Sequence, residues 1–301
     1  MTAVGPLSRW SARALVPALP YAWLLVFLLL PLVILFRISL SEPVLATPPY
    51  TPLFVPTPEG GLAWRGGFHN YAFLFGDPLY VRAYLNSLRI AAAATVICLV
   101  IGYPMAYAIA RAPRAWRAAL LLLVVLPFWT SFLIRVYAWI GLLKANGIVN
   151  NLLAALGLVE APLPLLYNDF AVHLGIVYSY LPFMVLPLYA TLSRMDWTLI
   201  EAAADLGCRP WQAFLTVTLP LTLPGVVAGS LLVFIPAVGE FVVPDLLGGA
   251  GTPMIGKVLW MEFFANRDWP LASAAALAML ALLAVPFALL RMSLGGAGKG
   301  A

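Results

Sequence analysis

Long apolar stretches separated by short charged segments dominate the chain. Stretches such as Ala14–Phe36 and Ile90–Ala110 carry no charge and match the roughly 20 apolar residues that a helix needs to cross a bilayer. Pro220 and Pro224 divide a later uncharged stretch, so the span there is expected to begin near Gly225, because proline interrupts helical hydrogen bonding. The pattern predicts six transmembrane helices, at about 14–37, 86–111, 118–143, 170–193, 225–247 and 269–291.

The segments between the predicted spans differ in length and composition. The segment 41–84 contains six prolines between Pro43 and Pro58 and is expected to be extended or irregular. The segment 144–169 is expected to contain a short helix at about Val149–Leu156, and 248–268 forms a third loop on the same side. On the opposite side, 195–224 is the one sizeable predicted loop.

The composition agrees with this pattern. Hydrophobic residues make up 63% of the 301 residues and charged residues only 10%, whereas a soluble domain carries about 25% charged residues. Such a chain cannot cover a globule with polar groups, which excludes a cytosolic enzyme, a nucleic-acid-binding protein and a disordered regulator. Cys98 and Cys208 form no CxxC pair, and two histidines cannot build a His-rich metal site. The predicted fold class is an all-α integral membrane protein with a single transmembrane domain.

The distribution of basic residues predicts the orientation. The link between spans two and three, Arg111–Arg117, holds three arginines in seven residues, and six spans place Arg194 and both termini on the same side. Short cytoplasmic loops are enriched in Lys and Arg. We therefore expect both termini and the loop 195–224 in the cytoplasm, and the loops 41–84, 144–169 and 248–268 outside.

The loop 195–224 carries the local signals of a helical hairpin. Ala202–Ala204 favour a first helix that Asp196 or Thr198 is suited to cap. Gly207 suits the left-handed position after a helix, and Pro210 suits the first turn of the next one. An apolar stripe at i, i+3 and i+4 follows, formed by Trp211, Phe214 and Leu215. These signals alone fit an interfacial connector as well as a docking surface.

The same loop resembles the EAA motif of ABC-importer permeases. That motif is Glu-Ala-Ala, three residues, Gly, nine residues, an aliphatic residue, one residue and Leu-Pro. The matching positions are Glu201-Ala202-Ala203, Gly207, Val217 and Leu219-Pro220, with Val217 where isoleucine is common. The resemblance extends to polyamine-type permeases and covers about residues 80–290; the stretches that carry it are Pro127–Trp139, Leu232–Pro244 and Gly256–Pro270.

The resemblance implies a type I ABC-importer permease fold and a transport subunit rather than an enzyme, in the inner membrane of a bacterium. It implies that the loop docks as coupling helices into a groove of an ATPase homodimer. A homologous second permease, a periplasmic substrate-binding protein and a polyamine cargo are the other implied partners. The residues expected to take part in coupling are Glu201, Ala202, Ala203, Asp205, Gly207, Trp211, Phe214, Leu219 and Pro220.

ATP and Mg²⁺ are expected on the partner ATPase, and no cofactor is expected on this chain. The segment Gly251–Val258 nearly spells a phosphate-binding P-loop. The motif needs a Ser or Thr hydroxyl for Mg²⁺ after its lysine, and Val258 stands there instead.

Glu240 is the clearest acidic residue inside a predicted span. It follows Pro236 and Gly239, which are expected to break span five in its outer half; otherwise the span ends early and Glu240 is solvated. The ammonium groups of a polyamine such as putrescine are stabilised by a carboxylate and by aromatic faces. The predicted substrate-pathway residues are Glu240, Phe241, Phe234, Trp139, Tyr180 and Asp245.

Two other features allow two interpretations each. Arg135 interrupts span three near its outer end and is expected to snorkel to the interface, with a pathway role as the alternative. Gly225 and Gly229 form a GxxxG pair, which either lets two helices approach closely or eases the start of a proline-rich helix.

Putrescine is the expected cargo, but the same architecture also fits spermidine, an amino acid, iron or sulfate. A secondary transporter driven by an ion gradient is a rival of a different class. Inverted repeats and several intramembrane ionisable groups would favour it, and the sequence shows neither. A membrane enzyme would need a motif such as HExxH or GxSxG, and the sequence contains none.

Overall fold

The computed structural model describes residues 6–56, 61–249 and 251–297, and side chains for 17–56, 61–249 and 251–284. The chain forms two compact units, one made of Met1–Pro78 and Leu259–Ala301 and the other of Leu79–Val258. The helices are α1 (Pro6–Ser39), α2 (His69–Gly76), α3 (Pro78–Arg111), α4 (Arg114–Val125), α5 (Phe132–Leu143), α6 (Ile148–Ala155), α7 (Asp169–Leu192), α8 (Thr198–Asp205), α9 (Pro210–Ala213), α10 (Leu219–Val238), α11 (Val242–Leu246), α12 (Ile255–Trp260) and α13 (Trp269–Ala297). A 3₁₀ turn covers Leu126–Trp129, and π-helical turns cover Phe214–Thr218 and Met261–Ala265.

In the first unit, α1 and α2 each pack against α13. The buried side chain of Asn70 donates from Nδ2 to the carbonyl oxygens of Ser39 at 2.8 Å and Ser41 at 2.9 Å, which holds the end of α1. Strands β1 (Phe54–Pro56) and β2 (Leu62–Trp64) form an antiparallel hairpin. The segment predicted to be irregular therefore contains a hairpin and α2, which the proline content concealed.

The second unit is built on the antiparallel pair α7 and α10. A Cβ atom added at Gly225 would lie 2.5 Å from Oγ1 of Thr191, and one at Gly229 would lie 2.8 Å from Sδ of Met184. The two glycines therefore let the helices approach closely, so the first interpretation of the GxxxG pair is confirmed. Met184 is fully buried, and Gly102 of α3 faces it from the other side, since an added Cβ there would lie 3.1 Å from its Cγ.

The third predicted span is not one helix. α4 ends at Val125, and α5 begins only at Phe132, after a 3₁₀ turn that contains Pro127. Proline has no N–H to donate, and its ring crowds the preceding turn. The Pro127 carbonyl oxygen accepts from the hydroxyl of Thr130 at 2.8 Å and from its backbone N–H at 3.3 Å, which closes the 3₁₀ turn. The continuous helix predicted at 118–143 is therefore wrong.

Pro220 and Pro224 do not divide the fifth helix, contrary to expectation. The chain is helical without interruption from Pro210 through the π turn to Val238. Pro220 comes two residues after the end of the π turn, where the hydrogen-bond spacing of the helix changes. Thr222 Oγ1 donates to the Thr218 carbonyl oxygen at 2.8 Å. The helix instead ends before its predicted boundary, at Val238, and the chain resumes as α11.

Within the described residues, five stretches are long and apolar enough to cross a membrane: Pro17–Ser39, Pro78–Arg111, Phe132–Ala155, Asp169–Leu192 and Pro210–Val238. Trp269–Ala284 is a shorter apolar helix. These follow the order of the six predicted spans, although Phe132–Ala155 consists of α5 and α6 joined by a turn. α6 confirms the predicted short helix, whereas α12 and its π turn make the predicted loop 248–268 partly helical. The count of six spans remains a prediction.

Crowding at Gly225 gives a test of the α7–α10 contact. Replacing Gly225 by Ala places a methyl group against Thr191, and overpacking of this kind costs about 1–3 kcal/mol. The same change at Gly141, where a Cβ meets nothing within 4 Å, should be neutral or mildly stabilising, because Ala favours a helix over Gly. Thermal unfolding of the purified complex in detergent measures both. Equal midpoints for the two variants would contradict the close contact.

Candidate functional site

The loop predicted to form coupling helices folds as a helical hairpin. Gly207 follows α8 with φ at +80°, in the left-handed region. The N–H of Gly207 donates to the Ala204 carbonyl oxygen at 2.9 Å, and the N–H of Cys208 donates to that of Ala203 at 3.0 Å. These two bonds are the Schellman arrangement that ends a helix on glycine. An added Cβ at Gly207 would meet nothing within 4 Å, so its requirement for glycine is conformational and not steric.

Side chains also bond to the backbone at the starts of the two loop helices. Asp196 Oδ1 accepts from the backbone N–H of Thr198 at 3.0 Å and from its hydroxyl at 2.8 Å. The Thr198 hydroxyl, and then the backbone bond, hold the pKa of Asp196 below its ordinary value. Neither predicted residue occupies the N-cap position, which is that of Trp197; Asp196 precedes it and bonds the N–H of Thr198, the first helical residue. At α9, Gln212 Oε1 accepts from the N–H of Arg209 at 2.9 Å, and Pro210 opens the helix as predicted.

The hairpin exposes apolar side chains that have no cover within the described chain. Leu206 is 85% exposed, Trp211 58% and Leu215 50%. The predicted coupling residues divide into two groups. Glu201, Ala202, Asp205, Gly207, Trp211 and Pro220 are exposed, whereas Ala203 is buried and Phe214 and Leu219 are half-buried. The second group serves the packing of the chain itself.

A ladder of side chains on α3, defined here as Tyr103, Tyr107 and Arg111, attaches the loop to the rest of the unit. These residues are four apart and therefore share one helix face. The first of these residues, Tyr103, packs edge to face against Phe214, with the two ring centroids 5.3 Å apart. The Tyr103 and Thr222 hydroxyls lie 2.7 Å apart in a buried hydrogen bond.

The other two rungs hold the beginning of the loop. The Tyr107 ring meets Trp197 edge to face at 5.5 Å. The Arg111 guanidinium lies 5.2 Å from the Trp197 ring centroid, and its Nη1 donates to the Tyr107 hydroxyl at 3.2 Å. The i, i+4 spacing of the ladder could be recognised in the sequence. Its partners could not be predicted, because they lie some 90–120 residues further along the chain.

The second candidate site surrounds Glu240, at the break between α10 and α11. Glu240 is only 7% exposed. The Tyr180 hydroxyl of α7 donates to its Oε2 at 2.5 Å, and the N–H groups of Val242 and Val243 donate to its Oε1 at 3.0 and 3.4 Å. The predicted break is therefore confirmed at Gly239, and the broken backbone supplies donors to the carboxylate. A solvated Glu240, the alternative considered above, does not fit this burial.

Gly256 of α12 fixes the backbone at this break. An added Cβ there would meet the carbonyl oxygens of Gly239 and Glu240 at distances too short for any side chain. The start of α12 therefore packs directly on the break, and no pattern in the sequence predicted this contact.

A cavity of about 370 Å³ opens beside Glu240. Its lining residues are Phe128, Phe132, Arg135, Ser179, Tyr180, Phe183, Pro236, Gly239, Glu240, Phe241 and Val242. Three predicted pathway residues, Glu240, Phe241 and Tyr180, thus come together. Arg135 joins them with only 9% of its surface exposed, which does not fit the expected snorkelling, and its pathway role remains a prediction.

The other three predicted pathway residues do not line this cavity. Asp245 forms a salt bridge with Lys257, with Oδ1 and Nζ 3.3 Å apart. Trp139 packs edge to face on Tyr178 at 5.4 Å. Phe234 lies half-buried on α10, two helical residues before Pro236. Their pathway roles remain predictions.

Comparison with known proteins identifies the family. Residues 98–294 match the family described as binding-protein-dependent transport system inner membrane component. The chain belongs to this family. It is an ABC-importer permease subunit of the polyamine-type group, as the EAA motif indicated, and a transport component rather than an enzyme.

Individual relatives agree with this assignment. The chain is 41% identical over 270 residues to the spermidine/putrescine transport system permease protein PotB of Haemophilus influenzae, which is 89% of each chain. It is 44% identical over 210 residues to PotB of Escherichia coli, which is 70% of this chain and 76% of the relative. A crystal structure of a bacterial alginate ABC transporter in complex with an alginate pentasaccharide-bound periplasmic protein matches with a TM-score of 0.64 at 18% identity, over 93% of this chain and 92% of the other. This last likeness confirms the type I permease fold.

The attachment of the loop to the ladder can be tested with two matched tryptophan variants. Trp197→Leu removes one aromatic pair and one cation–π contact, each worth about 0.5–1.5 kcal/mol, so backbone amides of 196–207 should exchange about tenfold faster with deuterium. Trp116→Leu changes the same residue type at an exposed position of α4, outside the loop, and should leave these rates unchanged. Hydrogen exchange by mass spectrometry on the purified complex measures both. Indistinguishable rates in the two variants would show that Trp197 does not hold the loop.

Proposed function

We propose that the chain is a permease subunit of an ATP-driven importer for polyamines, with putrescine as its expected cargo and spermidine as the nearest alternative. The observation that carries the proposal is the buried carboxylate of Glu240 in a cavity lined by aromatic rings. The names of the PotB relatives, which include both spermidine and putrescine, support the class of cargo.

The cavity has the chemistry that an alkyl diamine needs. Ammonium groups lose hydration on entering a cavity, and a carboxylate compensates by Coulomb attraction. Aromatic faces add cation–π contacts of about 0.5–2 kcal/mol each and also pack against the methylene chain. The rings available are those of Phe128, Phe132, Tyr180, Phe183 and Phe241. One carboxylate among such rings holds an amine weakly enough for the amine to leave again, as transport requires.

The proposed partners follow from the family and from the exposed loop. The exposed residues of the α8–α9 hairpin would dock on an ATPase homodimer that carries ATP and Mg²⁺. A homologous second permease would complete the passage, and a periplasmic substrate-binding protein would deliver the cargo. In the proposed orientation, this hairpin and both termini lie in the cytoplasm, and the complex lies in the inner membrane of a bacterium.

The mechanism is alternating access driven by the partner. Closure of the ATPase dimer would move the hairpin, and the continuous helical stretch from Pro210 to Val238 would carry that movement to the break at Glu240. The ladder on α3 would make α3 move with the hairpin. ATP thus biases a two-state element between a conformation open to the outside and one open to the inside.

The role of Glu240 is tested by Glu240→Gln, which keeps the shape and removes the charge. Uptake of radiolabelled putrescine at limiting concentration should fall severalfold, because the amine loses its counter-charge. Assembly with the ATPase and docking of the binding protein should persist. Glu160→Gln, at an exposed loop position, is the matched control and should transport normally. Undiminished uptake by Glu240→Gln would move the pathway elsewhere and defeat the proposal.

The docking role of the hairpin is tested at Gly207. Gly207→Asp adds a charge and a side chain at φ +80°, where a side chain is disfavoured by roughly 1–2 kcal/mol, so the ATPase should dissociate or uncouple while insertion persists. Glu201→Ala should have a milder effect, because one surface charge is worth on the order of 1 kcal/mol.

Gly157→Asp provides the control for this experiment. Gly157 has φ at +68° with open space around it, so the variant carries the same strain and charge on the loop predicted to lie outside. Co-purification of the ATPase and ATP hydrolysis stimulated by the loaded binding protein are the measurements. Equal ATPase retention in Gly207→Asp and Gly157→Asp would remove the docking role.

A further inference from the structure

Arg135 is a buried cation that forms no salt bridge in the described part of the chain. It lies on α5, and its Nε and Nη1 atoms are buried and make no hydrogen bond. The guanidinium instead lies 5.0 Å from the ring centroid of Phe128 and 5.7 Å from that of Phe132. These aromatic faces compensate only part of what a buried guanidinium loses when it leaves water.

Arg135 and Glu240 are the two charged residues among those that line the cavity. They do not pair in this conformation, since the salt bridges in the described chain join Arg89 to Asp169 and Lys257 to Asp245. Their helices are adjacent, because α5 packs against both α7 and α11, which flank Glu240. An arginine side chain is long and flexible, so a rotamer change can bring the guanidinium across a cavity of about 370 Å³.

The position of Arg135 on the two rings leaves the cavity side of Glu240 open. The donors to Glu240 come from the protein itself, from Tyr180 and the backbone of α11. A carboxylate has about four acceptor positions, so it retains capacity for a further donor. Either an incoming amine or the guanidinium of Arg135 fits that requirement.

We propose that Arg135 is a tethered cation that competes with the cargo amine for Glu240. The inference rests on the proposed role of Glu240 in the pathway. The guanidinium alternates between a pair with Glu240, which neutralises the cavity, and the position on Phe128 and Phe132 that the structure shows. An amine bound to Glu240 excludes the first of these two arrangements. When the cavity opens to the other side, the return of Arg135 to Glu240 helps to expel the amine.

Competition of this kind also limits which cations enter. A cation can bind the Glu240 carboxylate only if it displaces the guanidinium of Arg135. The planar N–H donors of a guanidinium match a carboxylate well. A diamine offers an ammonium group together with methylenes that pack on the rings, whereas a hydrated inorganic cation offers the charge alone. Arg135 is therefore a specificity-determining residue of the proposed pathway.

The test is a double-mutant cycle on the assembled importer in lipid nanodiscs, without the binding protein, with equilibrium binding of radiolabelled putrescine as the readout. Arg135→Gln should tighten binding about threefold or more, because the competitor is gone. In the Glu240→Gln background the same change should have no further effect, because nothing remains to compete for. Arg82→Gln, which removes an exposed arginine of α3 outside the cavity, is the matched control.

The outcomes separate the inference from the proposed function. If Glu240→Gln weakens putrescine binding but Arg135→Gln leaves it unchanged or weakens it, the tethered competitor is excluded and the function stands. An equal effect of Arg135→Gln in both backgrounds also excludes it, since a purely structural arginine behaves in that way. If Glu240→Gln binds putrescine like the unmodified complex, the proposed function itself fails.

A second variant keeps the inference testable should Arg135→Gln fail to assemble. Phe132→Leu removes one of the rings on which the guanidinium rests and should shift it toward Glu240, so that putrescine binds less tightly. This loss should shrink in the Glu240→Gln background. A loss of the same size in both backgrounds, or none in either, would overturn the inference.

Discussion

The close approach of α7 and α10 is the constraint on which the second unit depends. Three contacts occur in antiparallel order along this pair: Thr191 against Gly225, Met184 against Gly229, and Tyr180 hydrogen-bonded to Glu240. Association of helices in lipid gains little from hydrophobicity, so it relies on the close packing that small residues allow. Because both glycines lack a side chain, the two helices lie close together, and beyond Gly229 the Tyr180 hydroxyl reaches the buried Glu240.

The helix from Pro210 to Val238 connects the two candidate sites. Its irregularities lie near the hairpin, where α3 contacts it. The π turn at Phe214–Thr218 widens the helix where the ladder meets it, and Pro220 follows immediately. π turns and prolines are tolerated at membrane depth when neighbouring groups satisfy the freed backbone. From this point the helix continues to Val238, with Pro224 and Pro236 inside it, and in the proposed mechanism it carries a displacement of the hairpin to Glu240.

Local signals predicted the features that depend on a few neighbouring residues. The left-handed Gly207, the helix start at Pro210, the short α6 and the break near Gly239 each follow from glycine or proline chemistry within one turn. Features that depend on distant partners were missed. The rise per residue along the predicted third span placed Arg135 near the membrane interface. That rise gives the depth of a residue in the membrane, but not the direction in which its side chain points. The spacing of the ladder residues can be recognised in the sequence. Their contacts with Trp197, Phe214 and Thr222 depend on the tertiary fold and could not be predicted.

A buried carboxylate survives in this chain because the fold compensates for it at several points. The break at Gly239 turns two backbone N–H groups toward Glu240, Tyr180 adds a hydroxyl, and Gly256 holds the broken backbone in place. None of these groups carries a charge, so the protein satisfies the hydrogen bonding of Glu240 while its electrostatic attraction for a cation remains. A permanent ion pair would cancel that attraction. Asp245 shows the contrast. It lies outside the cavity and forms a salt bridge with Lys257, so its negative charge is already paired within the protein.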